Sequence, residues 1–422
     1  MQLAHLHKNY VFCTHNATSL TKMSKTEIST INFIFALQLK NVNRTDMSDN
    51  NLDINLYFEK ADVADIETPY MNGIESLRGC LVKKDYNVAL VGVCSEAYSL
   101  NNQGCAKAPN EIRKYLYALR GGFKNIRLAD LGNIRPARDD KETKFALENV
   151  IEYLAKQNIT AIVIGGSQDL TESMYKGIRK TQKEMNFCML DSRVDLLDSK
   201  AKFSSSNFLG NIIKDKQLEC MDILAYQGYY ISDNQMSVLS SRNLIGEQYR
   251  LGLVRRSLIN TEPVFRDSDL LSVDISAVRQ SDAPGNCNPS PNGLFGEEAC
   301  QLMRLAGSSD RMKAIGLFEV NPDMDSNGQT ANLAAQMIWH YIEALDNRVG
   351  DYPYQSISNY KKFMIPCGDN LHMVFYYGSE RDRWWMEIPR QDDTKIMACT
   401  YEDYEAAKNG KMPEIWYRYM MK

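Results

Sequence analysis

From about residue 86 onward, short apolar runs alternate with longer stretches of helical spacing. Residues 87–93 (Asn-Val-Ala-Leu-Val-Gly-Val) are apolar and β-branched throughout, which predicts a strand buried on both faces. A Ser/Asn/Gly-rich loop follows at 95–108, and Pro109 then opens a helix through Leu116. The same reading predicts a strand ending at 128–132, a helix over 141–157 and a strand at 160–164 running into Gly165-Gly166. Further strands are predicted over 187–190, ending at Asp191, over 270–274, ending at Asp274, and over 314–320, ending near Glu319; a long helix is predicted over 331–346. Strands alternating with helices at this spacing build a parallel sheet covered on both faces. In such sheets ligands bind beyond the carboxyl ends of the strands, where Asp191, Asp274 and Glu319 fall.

The flanking segments differ. Residues 1–46 are polar and hold His5, His7 and His15, three of the five histidines, without the apolar core of a secretory signal. They are expected to be a disordered extension or a start-site artefact, with Met23 and Met47 as internal starts, and the rival reading is a tail that docks on the domain. Residues 47–350 are expected to form the α/β domain. Residues 351–422 are rich in aromatic and charged residues, among them Trp384-Trp385 and Trp416-Tyr417. This tail is expected to add a hairpin and a helix packed on the domain, with a partner-binding surface as the sharper alternative.

Composition narrows the function classes. The chain has 422 residues and a net charge of −4 with both signs interspersed, which predicts neither a nucleic-acid nor a membrane-surface partner. No run of about 18 apolar residues is present, so no membrane span is expected. The ten cysteines form no C-x-x-C, and several lie in apolar runs, which predicts reduced core thiols and a cytoplasmic location.

Several blocks, in series over roughly residues 86–346, resemble the arginase/agmatinase/formimidoylglutamase (ureohydrolase) family. They are Gly165-Gly166-Ser167-Gln168, where the family has Gly-Gly-x-His; Asp191-Ser192-Arg193-Val194-Asp195, where it has Asp-x-His-x-Asp; and residues 272–285, where it has Ser-x-Asp-x-Asp followed by Ala-Pro-Gly. Gly293-Leu294, residues 316–322, Thr330-Ala331 and, upstream, Gly104 through Ile112-Arg113 and Asp130-Leu131-Gly132 also match. The resemblance implies one three-layer α/β/α domain with a parallel sheet of about eight strands. It also implies a dinuclear manganese site whose bridging water attacks a guanidinium or formimino carbon, and a trimer or hexamer.

Carried over residue by residue, the implied metal site is depleted. Gln168 and Arg193 stand where the family has histidine ligands. Asp191, Asp195 and Asp274 are retained. Ser276 replaces a ligand aspartate, and Arg279 a later aspartate. No histidine occurs between residues 16 and 339. Arginine stays protonated and cannot ligate a metal. Asp191, Arg193 and Asp195 alternate, so all three are expected to point one way, with the Arg193 guanidinium bridging the aspartates by forked hydrogen bonds in place of the metals. Arg279 is expected to do the same for Asp274 or Asp282. Glu319 matches the family's carboxylate for the substrate's guanidinium-like group, and its blander reading is a loop-bracing acid. Arg279 and Asp282 are the other ligand-binding candidates, against an ion network that merely holds loop ends together. The leading expectation is therefore a non-catalytic member with no cofactor, binding an unidentified protein or small molecule. The alternative is an active amidinohydrolase of formimidoylglutamase type, with manganese on Asp191, Asp195 and Asp274.

Overall fold

The computed structural model describes residues 53–66, 75–196, 201–241, 246, 248–353, 357–367, 372–389 and 394–420. The chain divides into two compact units, residues 1–58 and 59–422. Described residues of the first include the short 3-10 turn Ile54–Tyr57, capped by the Asp53 side chain. The expectation for residues 1–46 lies outside the described residues.

The second unit is built on a sheet of nine strands, against the eight or so expected, and the first of the nine begins at Phe58, the last residue of the first unit. They are β1 (Phe58–Glu59), β2 (Val88–Val93), β3 (Leu128–Ile134), β4 (Thr160–Gly165), β5 (Met185–Leu190), β6 (Leu218–Tyr226), β7 (Gln248–Arg250), β8 (Leu270–Asp274) and β9 (Ala314–Phe318). Their order is β1-β3-β2-β4-β9-β8-β5-β6-β7. The registered pairings from β3 across to β7 are parallel. β2, β4, β5, β6 and β9 are buried along their whole length, as their apolar runs require. β6 was not legible in the sequence, because Glu219 and Asp222 interrupt its apolar run; both are buried in the fold.

Helices Ala108–Ala118, Gly296–Gly307 and Gln329–Asp346 pack together, and Asp140–Lys156 packs on Thr171–Arg179. Asp139 caps the start of its helix by accepting from the Lys141 amide. Two glycine contacts set how the layers close. A Cβ on Gly166 would sit 1.9 Å from the Ser95 carbonyl oxygen, and one on Gly165 would sit 2.3 Å from the Phe318 ring. The Gly-Gly pair therefore lets the chain after β4 pass directly against its neighbours.

A buried arginine ties the first strands to the first helix. Arg113 is fully buried. Its Nε and Nη2 fork onto the two oxygens of Asp130 at 2.7 and 2.9 Å, and Nη1 reaches Asn133 Oδ1 at 2.7 Å. The carbonyls of Pro109 and Gly132 accept from the same guanidinium, and Tyr117 adds its hydroxyl to Asp130. These bonds satisfy both charges of the pair, the condition under which a buried ion pair is tolerated.

Beyond residue 351 the expected hairpin and helix prove to be more. A four-stranded antiparallel sheet, β10 (Lys361–Pro366), β11 (His372–Gly378), β12 (Arg383–Pro389) and β13 (Thr394–Cys399), is followed by helices Tyr401–Lys408 and Glu414–Met420. Trp384, Trp385 and Trp416 are all buried, and Trp384 stacks on Tyr404 with centroids 4.5 Å apart. The seam with the large sheet is polar. Arg266 donates to the Trp384 and Cys399 carbonyls and lies 4.5 Å over the Trp385 ring, while Asp267 accepts from the Ala398 amide. No helix among the described residues is long and apolar enough to cross a membrane.

Replacing Arg113 with Met leaves the Asp130 carboxylate buried without its partner. We expect a loss of about 3–5 kcal/mol in folding free energy by chemical denaturation. A change under about 1 kcal/mol would show that the Arg113 network does not anchor these strands.

Candidate functional site

The site forms where β4, β5, β8 and β9 end side by side. Asp191 follows β5, Asp274 closes β8 and Glu319 follows β9. Adjacent parallel strands thus carry three carboxylates to one edge, and Asp195 joins them from the loop after Asp191. Asp191, Asp195 and Glu319 are buried and Asp274 is half-buried.

Two of the aspartates use the same local device. Asp191 Oδ1 accepts from the Arg193 amide at 2.8 Å, and Asp274 Oδ1 accepts from the Ser276 amide at 2.7 Å. Each turn holds one carboxylate oxygen and leaves the other for the site. Asp191 Oδ2 is buried with no hydrogen-bond partner, as is Gln168 Oε1. Gln168 comes from the turn after the Gly-Gly pair. Its Nε2 reaches Ser272 Oγ at 3.3 Å. The negative charge of Asp191 acts on Asp195.

Glu319 is held from both sides. Its Oε1 accepts from the Gln168 backbone amide at 2.8 Å and its Oε2 from Asn102 Nδ2 at 2.7 Å. Its backbone has φ +65°, a left-handed conformation uncommon for a non-glycine residue and one that clusters at functional sites. Asn102 also bonds the Glu319 carbonyl and receives a bond from Asn321.

Burial dominates the electrostatics. It pushes the Asp191 and Asp195 carboxyls well up, and Asp274 adds to both shifts through its negative charge. Burial likewise raises Asp274 and carries Glu319 to about 8, again with Asp274 contributing. This agrees with the expectation that carboxylates converging here cannot all ionise unaided.

The arginines behave differently from the expectation. The segment after β5 is a loop and not an extended strand. The Arg193 guanidinium lies over Tyr230, 4.2 Å from the ring centre, and among the described residues no ion pair joins it to Asp191, Asp195 or Asp274. Its charge still reaches Asp191 and Asp274 and favours their ionised forms. Forked bridging by Arg193 is thus corrected to stacking with a through-space effect. Arg279 does pair with Asp282, Nε to Oδ1 at 3.0 Å, while stacking on Phe295; Asp282 also accepts from the Gly296 amide. That pair braces the loop and the start of the next helix. Ser276 Oγ lies 3.0 Å from Ser192 Oγ. The sequence reading missed Asn102, Ser272 and Tyr230. Asn102 alone carried a signal, as a polar residue in the loop after a buried strand. Beside the site, Tyr229, Tyr230, Leu196 and Gln235 line part of a cleft of roughly 980 Å³.

A nine-stranded, mostly parallel sheet with acidic residues at the ends of β5, β8 and β9 is the frame of an arginase-like α/β protein. The Arginase family model matches residues 86–343, more than half of the chain, and the chain belongs to that family. It is 24% identical over 279 residues to a formimidoylglutamase of Lysinibacillus sphaericus, covering 62% of this chain and 85% of the relative. With a formimidoylglutamase of Geobacillus thermodenitrificans it shares 27% over 274 residues, covering 61% and 84%. Among solved structures, Trypanosoma cruzi formiminoglutamase with Mn2+2 superposes with a TM-score of 0.61 at 19% identity, over 65% of this chain and 100% of the other. Proclavaminate amidino hydrolase of Streptomyces clavuligerus gives 0.58 at 19%, over 67% and 100%. These likenesses make the protein formimidoylglutamase-like. They also overturn the expectation that no cofactor belongs here, since the T. cruzi neighbour was solved with manganese.

The residues present fit a hard divalent cation in one respect and not in another. The donors are all oxygens, which suits manganese, and two buried acceptors face no donor. Among the described residues, however, no three His, Cys, Asp or Glu side chains stand in ligating geometry as they lie. With cations chelated away, Asp195→Asn is therefore expected to stabilise the fold, by about 1–3 kcal/mol, by removing a crowded carboxylate. Denaturation in chelator checks this, and a clear loss of stability would mean that the carboxylates are not in conflict.

Proposed function

We propose that this chain is a hydrolase of the C–N bond of a linear amidine, acting at the Asp191–Asp195–Asp274–Glu319 edge, with formimidoylglutamate as the leading substrate. The observation that carries this reading is the convergence of four carboxylates, three of them buried, with Asp191 Oδ2 and Gln168 Oε1 buried and without donors. Such a cluster must either keep protons or take in positive charge, from a cation or a cationic ligand. The relatives' shared name supplies the chemical class.

To hold a divalent cation there, Asp191, Asp195 and Asp274 would have to draw together from where they lie. A cation of this kind supplies a water nucleophile at neutral pH. The chain's own residues do the rest. Glu319 is held by Gln168 and Asn102 and offers its carboxylate to the amidinium of the substrate, which favours its ionised form against the burial that raises it. The donors that fix Glu319 are a backbone amide and a short side chain, so the acceptor is positioned before substrate arrives. Arg193 contributes a fixed positive charge beside the edge.

A binding-only role at the same edge is the second reading. It is favoured by the lack of histidine between residues 16 and 339, which leaves no imidazole for proton transfer or ligation.

The test is release of formamide from formimidoylglutamate, and of urea from arginine, by the full chain, with added Mn(II) and with chelator. We expect manganese-dependent turnover of the first, and Glu319→Gln to lower kcat/KM about 100-fold or more, as loss of a buried charge-assisted contact does. Saturable binding of the amidine with no turnover would replace hydrolysis by the second reading. Turnover unaffected by Glu319→Gln would remove Glu319 from the site.

A further inference from the structure

We propose that the cavity between the C-terminal antiparallel sheet and the α/β layers binds a nucleoside phosphate, with Arg304 and Arg381 taking the phosphates and Tyr401 and Ile259 taking the base. The proposal is independent of the amidine-hydrolase reading.

The cavity measures roughly 630 Å³, within the range of small-molecule sites. It is bordered by the helix Glu262–Asp267, which leads into β8, by the end of the helix Gly296–Gly307, which leads toward β9, and by β12 and β13. It therefore lies beside the starts of β8 and β9, whose other ends carry the carboxylates. The match to the Arginase family stops at residue 343, so Arg381, Arg383 and Tyr401 fall outside it.

Four arginines line the cavity, and they divide by what already occupies them. The inner pair is structural. Arg266 and Arg383 are buried and share one carboxylate: Glu262 Oε2 lies 2.9 Å from Arg266 Nη2, and Glu262 Oε1 lies 3.0 Å from Arg383 Nε. Asp351 stands 3.8 Å from Arg383. Arg266 Nε is buried without a hydrogen-bond partner. Burial, together with the like charges of Arg266 and Arg381, holds the Arg383 guanidinium below its usual value in spite of these carboxylates. The positive charge of this wall is thus incompletely offset.

The outer pair is free to bind. The Arg304 side chain is 62% exposed and meets Glu343 only at 3.9 Å. Arg381 gives Nη2 to the Asn347 carbonyl, and among the described residues it forms no ion pair. Two guanidiniums with spare donors on one cavity suit a diphosphate, whose oxygens accept forked pairs of N–H bonds. Asp382 and Glu402 line the cavity too, but both are exposed, where water and salt screen their repulsion of an anion. An inorganic anion alone would leave most of the volume empty. Tyr401 is 51% exposed and Ile259 65% exposed, and both line the cavity. An open aromatic ring and an aliphatic side chain beside arginines suit a planar base, which gains by stacking on such a ring.

The experiment is titration of the full chain with ADP by isothermal calorimetry, with inorganic pyrophosphate and adenosine as separate titrants. One saturable ADP site per chain is expected, with pyrophosphate and adenosine each at least about 10-fold weaker, since each makes only part of the contacts. Arg304→Glu should weaken ADP about 10-fold or more and leave the far-ultraviolet circular dichroism unchanged, because its side chain is exposed. Tyr401→Ala should weaken ADP and adenosine but not pyrophosphate. Absence of saturable ADP binding in the millimolar range would overturn the proposal. Pyrophosphate binding as tightly as ADP would overturn the base subsite. ADP binding indifferent to both variants would show that the ligand sits elsewhere and would overturn the assignment of this cavity. Neither variant touches the strand-end carboxylates, so none of these outcomes bears on the hydrolase reading.

Discussion

Like charges crowded at the end of a buried sheet are the constraint on which this site depends. Asp191, Asp195, Asp274 and Glu319 are brought together because their strands are neighbours in a parallel sheet, and water that would otherwise solvate them is excluded. The surrounding chain responds with donors. The amides of Arg193 and Ser276 turn back onto the aspartates, and the Gln168 amide and Asn102 hold Glu319. These bonds orient the carboxylates but do not neutralise them, which is why burial still raises all four. A fold that stores charge conflict at one edge is built to be completed by something positive.

The scaffold that enforces this crowding relies on close backbone approach and on pairs fully satisfied elsewhere. Gly165 and Gly166 let the turn carrying Gln168 lie against Ser95 and Phe318. Gly285 passes its amide to Thr330 at 2.7 Å, which locks the loop after β8 to the last long helix. Arg113 and Asp130 show the contrast with the site: there the buried carboxylate has its guanidinium in forked contact, while at the strand edge the nearest guanidinium, Arg193, stacks on an aromatic ring instead. The antiparallel sheet at the C-terminal end is joined through Arg266 and Asp267 to carbonyls and amides of its strands. It is part of the packed unit, and its tryptophans are core.

Membership in the arginase family and the formimidoylglutamase relatives argue for catalysis, while the absence of histidine between residues 16 and 339 argues for altered chemistry at this edge.

By itself the sequence determined the architecture. Strand-sized β-branched runs and helix-sized amphipathic segments alternate, and that periodicity survives whatever the side chains at the site become. It also placed Asp191, Asp274 and Glu319 at strand ends, since a strand's end is a local property. The glutamate and aspartate within β6 hid that strand, because burial of an acid depends on partners distant in the chain. The direction of Arg193 was likewise beyond local reading. Alternation along an extended segment suggested that it shared a face with Asp191 and Asp195, but the strand stops at Leu190 and Tyr230, from a loop 37 residues further on, supplies a ring to stack on. Asn102 reaches Glu319 across 217 residues. Partnerships of this kind are decided only when the strands assemble, because what a charged side chain does depends on which distant group offers the better contact.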